Sequence, residues 1–222
     1  MSDIELIDVY KKFKNKEIFK GINLKIEQGK TVGIIGYNGT GKSILFKLIS
    51  GLEKANKGKV IIKNKIIGTD IDFPESMGIL INEPSYISVY SGLKNMQLLA
   101  NINQNVELKE IKDYMVMVGL NPDEKTRVKN YSLGMKKKLA ICQAIMENQS
   151  IILLDEPFNG LDHSSVIAIK SVITKLQKKG KTILLTGHTQ SDIEELCNDI
   201  YIVDNKNLVP FTEDLREKYY SS

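Results

Sequence analysis

Long apolar runs are missing from this 222-residue sequence. No run approaches the ~18 apolar residues that a membrane-spanning helix needs, so we expect any role at a membrane to require a separate membrane partner. The segment MSDIELIDVY at the start of the sequence contains acidic side chains and lacks an apolar core, so we expect no secretory leader.

Cysteine and clustered aromatic residues are scarce as well. Cys142 and Cys197 are the only cysteines and lack the spacing of metal ligands, which predicts reduced, structural thiols in a cytosolic protein. The net charge is only +4, and few aromatic residues interleave the basic runs at residues 11–16 and 136–138. We therefore interpret both runs as solvated surface and expect no nucleic-acid partner.

Patterns of apolar residues predict strands near both ends of the chain. Residues 4–9 and 22–26 alternate apolar and polar side chains, as half-buried strands do, and residues 58–68 predict a hairpin. The continuous apolar run at residues 31–35 predicts a strand covered on both faces. Further strands are predicted at residues 77–81, 151–154, 182–186 and 200–203.

The middle of the chain, from about residue 84 to 149, has mostly helical periodicity. Other helices are predicted from Gly41 to Gly51 and over residues 166–177. Strands that alternate with helices predict an α/β protein with a mostly parallel sheet. The charged residues beyond Pro210 fit neither pattern, and no element is assigned to them.

The segment IIGYNGTGKS indicates a phosphate-binding loop. Gly36, Gly41, Lys42 and Ser43 match the pattern G-x-x-x-x-G-K-[ST] between a predicted strand and a predicted helix. Glycines let backbone N–H groups turn toward phosphates, and the helix behind the loop adds its positive end. Lys42 is expected to reach the β- and γ-phosphates, and Ser43 to ligate Mg²⁺. The residues predicted to bind the nucleotide here are Gly36, Tyr37, Asn38, Gly39, Thr40, Gly41, Lys42 and Ser43.

The segment IILLDEP, at residues 151–157, predicts the second half of the site. A buried strand would deliver Asp155 and Glu156 at its carboxyl end, where open α/β sheets bind ligands. Asp155 is expected to hold Mg²⁺, through water, and Glu156 to polarise the attacking water. The alternative is a strand that simply ends in an acidic turn.

The order of these motifs resembles that of the ATP-binding cassette (ABC) ATPase family, over essentially the whole chain. The phosphate loop is followed by the helical insert, YSLGM, IILLDEP, NGLD and TGH. YSLGM departs from the commonest family form, LSGGQ, because Leu133 replaces a glycine and Met135 a glutamine, while Ser132 and Gly134 remain. The resemblance implies a P-loop NTPase fold of the ABC type, as one domain over residues 1–222. Its mostly parallel core would carry an antiparallel β subdomain, a helical subdomain at about 84–149 and a charged tail at about 210–222.

In this family the ATP site is completed by a second copy of the chain. The resemblance implies that Ser132 and Gly134 face the γ-phosphate held by the other copy, and that Asp162 lies at the dimer seam. His188 would contact the γ-phosphate and help to hold the attack geometry, although it could instead cap the following helix. His163 is expected to be a surface or cap residue.

Two positions leave alternatives open. The family places an aromatic ring on adenine, and Phe13 is expected to supply it, with Tyr10 as the competitor. The family also has a glutamine that senses Mg²⁺ and the membrane partner, where this chain has Asn82, one methylene shorter. Some exporter ATPases that resemble the bacitracin- and lantibiotic-resistance type, which the chain also resembles, carry glutamate there. Glu83 is the competing residue for this role after a one-residue shift.

The first functional hypothesis is the ATP-hydrolysing subunit of a membrane exporter. It would use ATP and Mg²⁺ and work as a homodimer at the cytoplasmic, inner face of the cell membrane, docked on separate permease chains. The second is a soluble ABC ATPase of DNA repair, translation or iron–sulfur assembly. A long coiled coil and a second cassette are missing, which disfavours the first two types but not the assembly type. The third, a P-loop kinase or generic NTPase, leaves YSLGM and NGLD unexplained.

Overall fold

The computed structural model describes residues 1–82, 85–103, 106–187 and 190–220. Its strands are β1 (Ser2–Phe13), β2 (Lys16–Glu27), β3 (Thr31–Ile35), β4 (Lys57–Ile62), β5 (Lys65–Ile66), β6 (Met77–Leu80), β7 (Ile151–Leu154), β8 (Thr182–Thr186), β9 (Asp199–Asp204) and β10 (Asn207–Pro210). Its helices are α1 (Lys42–Ile49), α2 (Gly92–Asn103), α3 (Leu108–Met117), α4 (Leu133–Ile145), α5 (His163–Lys178), α6 (Gln190–Leu196) and α7 (Glu213–Tyr220). The chain forms two compact units, Met1–Pro74 with Leu184–Ser222, and Glu75–Ile183.

The first unit contains an antiparallel sheet with the strand order β2-β1-β4-β5. Leu6 of β1 lies opposite Leu24 of β2 and Val60 of β4, and all three side chains are buried. The burial of Leu6 and Leu24 confirms the alternation of apolar and polar residues that predicted half-buried strands in these two segments. Lys63 and Asn64 both have positive φ, which makes the two-residue turn of the predicted β4–β5 hairpin.

The first unit also holds the strands that lead into the phosphate loop. In it β3 pairs in parallel with β9, so that Ile34 lies opposite Tyr201, and β9 pairs antiparallel with β10. Every residue of β3 is buried, as its continuous apolar run predicts. Two further elements, β10 and the α7 helix in the charged tail, are additions to the sequence prediction.

The second unit combines the acidic strand with the helical insert. Here β6 and β7 pair in parallel, with Leu80 opposite Leu154, so both strands end at the same edge of the sheet. Helix α4 packs closely on β6, since a Cβ on Gly78 would lie 1.7 Å from the carbonyl oxygen of Ala144. The buried Asn95 of α2 was not anticipated. Its side chain bonds the backbone of Ile87 and Ser91 and fixes the segment before the helix.

Two further expectations from the sequence concern membrane-spanning helices and the state of the two cysteines. Among the described residues, no helix has the length and apolar character needed to cross a bilayer. Cys142 and Cys197 are both free, and burial raises the pKa of each thiol to about 12, so each stays protonated at neutral pH. Protonated thiols agree with the structural role predicted for them.

Candidate nucleotide-binding site

The phosphate loop connects β3 to α1, which is the strand–loop–helix context that the motif requires. Gly36 has φ of 147°, and a Cβ there would lie 3.0 Å from Thr40 Oγ1. Gly41 has φ of 113°, and a Cβ there would lie 2.7 Å from the Ile18 side chain. Both positions therefore exclude side chains, on conformational and on steric grounds.

Lys42 is held at the base of this loop by the loop itself. Its Nζ donates hydrogen bonds to the carbonyl oxygens of Gly36, at 2.8 Å, and of Tyr37, at 3.2 Å. The side chain is only 5% exposed, so the ammonium position is set by the first two loop residues. Asn38 and Gly39 are exposed at the loop tip.

The start of α1 provides a positive end for an anion. Gly41 is the N-cap and has no side chain to accept the first helical N–H groups. The first turn carries no acidic residue, and Ser43 is half-buried within it. These features suit phosphate at the loop, with the Ser43 hydroxyl as an oxygen ligand for a cation.

The acidic residues follow β7 at the edge where β6 also ends. Asp155 is 8% exposed, and its backbone N–H donates to the Leu80 carbonyl at 2.7 Å, which extends the strand pairing. Asn82 comes two residues after Leu80. Because Leu80 and Leu154 are paired, Asp155 and Asn82 both follow strands that end at the same edge of the sheet.

Glu156 has a backbone conformation that is unfavourable for a residue with a side chain. Its φ is 51°, in the left-handed region, which costs about 1–2 kcal/mol. Lys137 Nζ donates to the Glu156 carbonyl oxygen at 3.3 Å, and Asn159 Nδ2 donates to Glu156 Oε2. These two contacts hold the turn and orient the carboxylate. Neither contact was predicted from the sequence. Lys137 lies in a basic run that was interpreted as solvated surface.

The oxygen donors expected for Mg²⁺ fit that ion. Ser43 supplies a hydroxyl, Asp155 a carboxylate and Asn82 an amide oxygen, all of them hard ligands. In the part of the chain that the structure describes, no three His, Cys, Asp or Glu residues form a metal-binding group. Each of these oxygens is of a type that Mg²⁺ accepts, and Mg²⁺ also keeps several waters and takes phosphate oxygens as ligands.

Ser132 and Gly134 lie at the exposed start of α4. Ser132 is the N-cap, and its Oγ accepts a hydrogen bond from the Met135 backbone N–H at 3.2 Å. Gly134 is the second residue of the helix, where glycine loses more conformational freedom than alanine would. A Cβ on Gly134 would meet its nearest described neighbour, the Gly160 carbonyl, at an ordinary 3.5 Å. Packing within the described chain therefore gives no reason for this glycine.

Asp162 caps α5. Its Oδ1 accepts hydrogen bonds from the Ser165 backbone N–H at 2.7 Å and from the Ser164 hydroxyl at 3.0 Å. Hydrogen bonds from Ser165, with help from Ser164, lower the pKa of Asp162 to about 2, so it is ionised at physiological pH. His163 is exposed at the first helical position, which agrees with its expected surface or cap role.

The two candidates for the adenine contact differ in exposure. Phe13, at the end of β1, is 39% exposed, and Lys11 Nζ lies 4.5 Å from its ring centroid. Tyr10 is half-buried, and its hydroxyl would lie 3.0 Å from a Cβ on Gly21, so it packs along the sheet. This difference favours Phe13 as a surface for a base.

Replacing Phe13 with alanine is expected to weaken ATP binding by on the order of 1–3 kcal/mol, the scale of base–aromatic stacking. Tyr10→Ala is the matched control and should leave ATP affinity within about twofold, under ~0.5 kcal/mol. Calorimetric titration of both purified variants with ATP gives the comparison. A selective loss in Tyr10→Ala would place the base on the other ring.

Asn82 has φ of 59° and is exposed. Asparagine adopts this left-handed region more readily than most residues with a side chain, which gives a physical reason for it here in place of glutamine. Its role in metal binding stays a prediction. The competing Glu83, and the predicted catalytic residue His188, lie outside the described residues.

A family model for ABC transporters matches residues 19–159. The uncharacterized ABC transporter ATP-binding protein YybJ of Bacillus subtilis is 35% identical over 195 residues, covering 88% of this chain and 89% of that protein. The bacitracin transport ATP-binding protein BcrA of Enterococcus faecalis is 31% identical over 212 residues, covering 93% and 68% respectively. The chain spans 63% of another, longer Bacillus subtilis relative, YdbJ.

A solved structure gives a likeness of the same kind. The dimeric structure of a bacterial ABC transporter cassette matches with a TM-score of 0.82 and 25% sequence identity. The match covers 92% of this chain and 96% of that chain.

Proposed function

The chain belongs to the ABC transporter family as an ATP-binding subunit with ATPase activity, and from this premise we propose that it dimerises on ATP to drive a separate membrane permease. We further propose that the transporter is an exporter and that the chain works at the cytoplasmic face of the cell membrane. The relative BcrA, named for bacitracin transport, supports a role in transport.

The observation that carries the dimer proposal is the exposed start of α4. Ser132 presents a hydroxyl, and Gly134 is a glycine that packing within the described chain does not require. Both features are explained if a phosphate of a nucleotide held by a second copy comes close to this helix end. The solved structure named as a dimeric cassette supports the pairing of two copies.

Within each site the residues divide the work. Lys42 and the loop N–H groups bind the phosphates, and the Phe13 ring covers the adenine. Ser43, Asp155 and Asn82 would hold Mg²⁺, which neutralises the charge that develops on the phosphates. Glu156 takes part as the base that polarises the attacking water, and Asn159 keeps its carboxylate oriented.

The nucleotide then joins the two copies. With ATP bound, Ser132 and Gly134 of one copy contact the γ-phosphate held by the other, and Asp162 lies at the seam between them. Hydrolysis and phosphate release remove the γ-phosphate contacts, so the dimer opens. His188 is assigned to the γ-phosphate on the family resemblance alone. The permease converts this closing and opening into transport.

The permease partner is tested by purifying the tagged chain from detergent-solubilised membranes of its native host. We expect a polytopic membrane protein to co-purify, with two copies of this chain per transporter. Recovery of the chain without any membrane protein would contradict the proposed permease partner and favour a soluble ABC ATPase. Untagged lysate passed over the same resin is the control.

A further inference from the structure

The last helix of the described chain contacts the phosphate loop. Tyr219 of α7 lies with its ring centroid 4.8 Å from that of Tyr37, at an interplanar angle of 42°. The Gly36 backbone N–H also donates a hydrogen bond to the Tyr219 hydroxyl. One side chain from the charged tail therefore contacts the first two residues of the loop, and all three residues belong to the first unit.

Other contacts hold α7 in this position. Phe211 packs edge-on against Tyr219, with 6.0 Å between ring centroids. Arg216 pairs with Glu194 of α6 at 2.9 Å and with Glu213 at 3.0 Å, and its guanidinium lies 5.8 Å from the Phe211 ring centroid. The helix is thus anchored to α6 through a charged pair, while Tyr219 reaches the loop.

The two residues that Tyr219 contacts are the ones that position Lys42. The carbonyl oxygens of Gly36 and Tyr37 accept the hydrogen bonds of Lys42 Nζ. A chain of direct contacts therefore runs from Tyr219 through Gly36 and Tyr37 to the ammonium group. No further residue is needed to link Tyr219 to Lys42.

We propose that Tyr219 is a positioning residue for ATP binding, which holds the first two residues of the phosphate loop so that their carbonyls present Lys42 to the phosphates. Tyr219 acts through Gly36, Tyr37 and Lys42 and does not itself touch the nucleotide. The proposal rests on the assignment of this loop as the ATP site.

The physical reason lies in the glycines of the loop. Glycine loses more conformational freedom on ordering than any other residue, so a loop with three glycines costs binding free energy if it is ordered only by the ligand. Contacts to Tyr219 would order the loop in advance. Burial raises the pKa of the Tyr219 hydroxyl above its ordinary value, so the hydroxyl stays neutral and adds no negative charge beside the phosphates.

The first test measures steady-state ATP hydrolysis by the full chain with changes at Tyr219. Tyr219→Ala is expected to raise KM for ATP roughly tenfold and to leave kcat within about twofold, because a loss of positioning before chemistry appears as weaker binding. Tyr219→Phe keeps the ring on Tyr37 and should recover most of the affinity. Glu217→Ala, an exposed change on the same helix, is the control and should match the unchanged chain.

The second test uses the absence of tryptophan from the sequence. Tyr219→Trp introduces a single fluorescent indole against Tyr37, and its emission should shift when ATP is added. Glu217→Trp places the indole on the exposed side of the same helix and should show no shift. Both variants are compared at the same saturating ATP concentration, and each is checked for folding by its thermal melt.

The outcomes separate this inference from the proposed function. An unchanged KM in Tyr219→Ala, or an ATP-insensitive emission in Tyr219→Trp, would overturn the positioning role while ATP binding by the unchanged chain stands. Failure of the unchanged chain to bind ATP would instead remove the assignment of the loop. If Tyr219→Ala does not fold, the response of the Tyr219→Trp emission to ATP decides the question.

Discussion

Replacing Lys42 with alanine is expected to lower ATP turnover by on the order of a thousandfold, which corresponds to about 4 kcal/mol of transition-state stabilisation. ATP binding should weaken by about 10- to 100-fold, since a hydrogen bond to a charged group contributes about 1.5–3 kcal/mol. The ammonium group is placed by two loop carbonyls, and no other described side chain of the loop carries a positive charge. Its loss therefore leaves the phosphates without a fixed cation from the loop.

The experiment must separate the loss of the positive charge from the loss of side-chain packing, because Lys42 is buried and supports the loop. Lys42→Met keeps the aliphatic stem and removes only the ammonium group, so it should lose turnover as fully as Lys42→Ala with less effect on folding. Lys47→Ala, in the last turn of the same helix, is the control and should keep normal turnover. Turnover and ATP affinity are measured on each variant, with thermal melts. Normal hydrolysis by Lys42→Met would remove the phosphate-loop assignment.

Much of the fold was predictable because its signals are local. Alternating or continuous apolar runs identified β1, β2, β3, β6 and β7, and the strand–loop–helix context of Lys42 follows from residues that are neighbours in sequence. The family resemblance supplied what local patterns lack, namely the order of motifs and the ABC fold. The family assignment and the α/β fold are confirmed by the relatives and by the solved cassette.

Several side-chain contacts were not predictable in the same way. Asn159 lies in the NGLD motif, in which only Asp162 was assigned a role. Its hydrogen bond to Glu156 depends on the positive φ of Glu156, which the residue types do not predict. Lys137 looked like one of three solvated lysines until the Glu156 carbonyl was placed beside it. The contact of Tyr219 with the phosphate loop joins residues 182 positions apart, 37 and 219, inside a tail whose charge pattern gave no element.

Glu156→Gln is expected to abolish most turnover while producing a stable ATP-dependent dimer. The substitution keeps the size of the side chain and leaves an amide oxygen to accept from Asn159, so the turn should survive. It removes the base that polarises water, with an expected loss of on the order of 10²–10⁴ in rate. It also removes a negative charge near the triphosphate, which should favour ATP binding slightly. Asn159→Ala should show a smaller loss, because it disturbs the orientation of the base and leaves the base present.

The dimer itself is tested by adding a change on the opposite face of the proposed site. Ser132→Arg in the Glu156→Gln background should break the ATP-dependent dimer, because a bulky side chain at the exposed start of α4 would occupy the place of the partner's γ-phosphate. Lys94→Arg, an exposed change on α2, is the control and should leave the dimer intact. The measurement is size-exclusion chromatography with light scattering, with and without saturating ATP. A Glu156→Gln chain that stays monomeric with ATP would refute dimerisation of the isolated chain. Near-normal hydrolysis by the Glu156→Gln chain would show instead that Glu156 is not the base. That variant differs from the unchanged chain at this one position only.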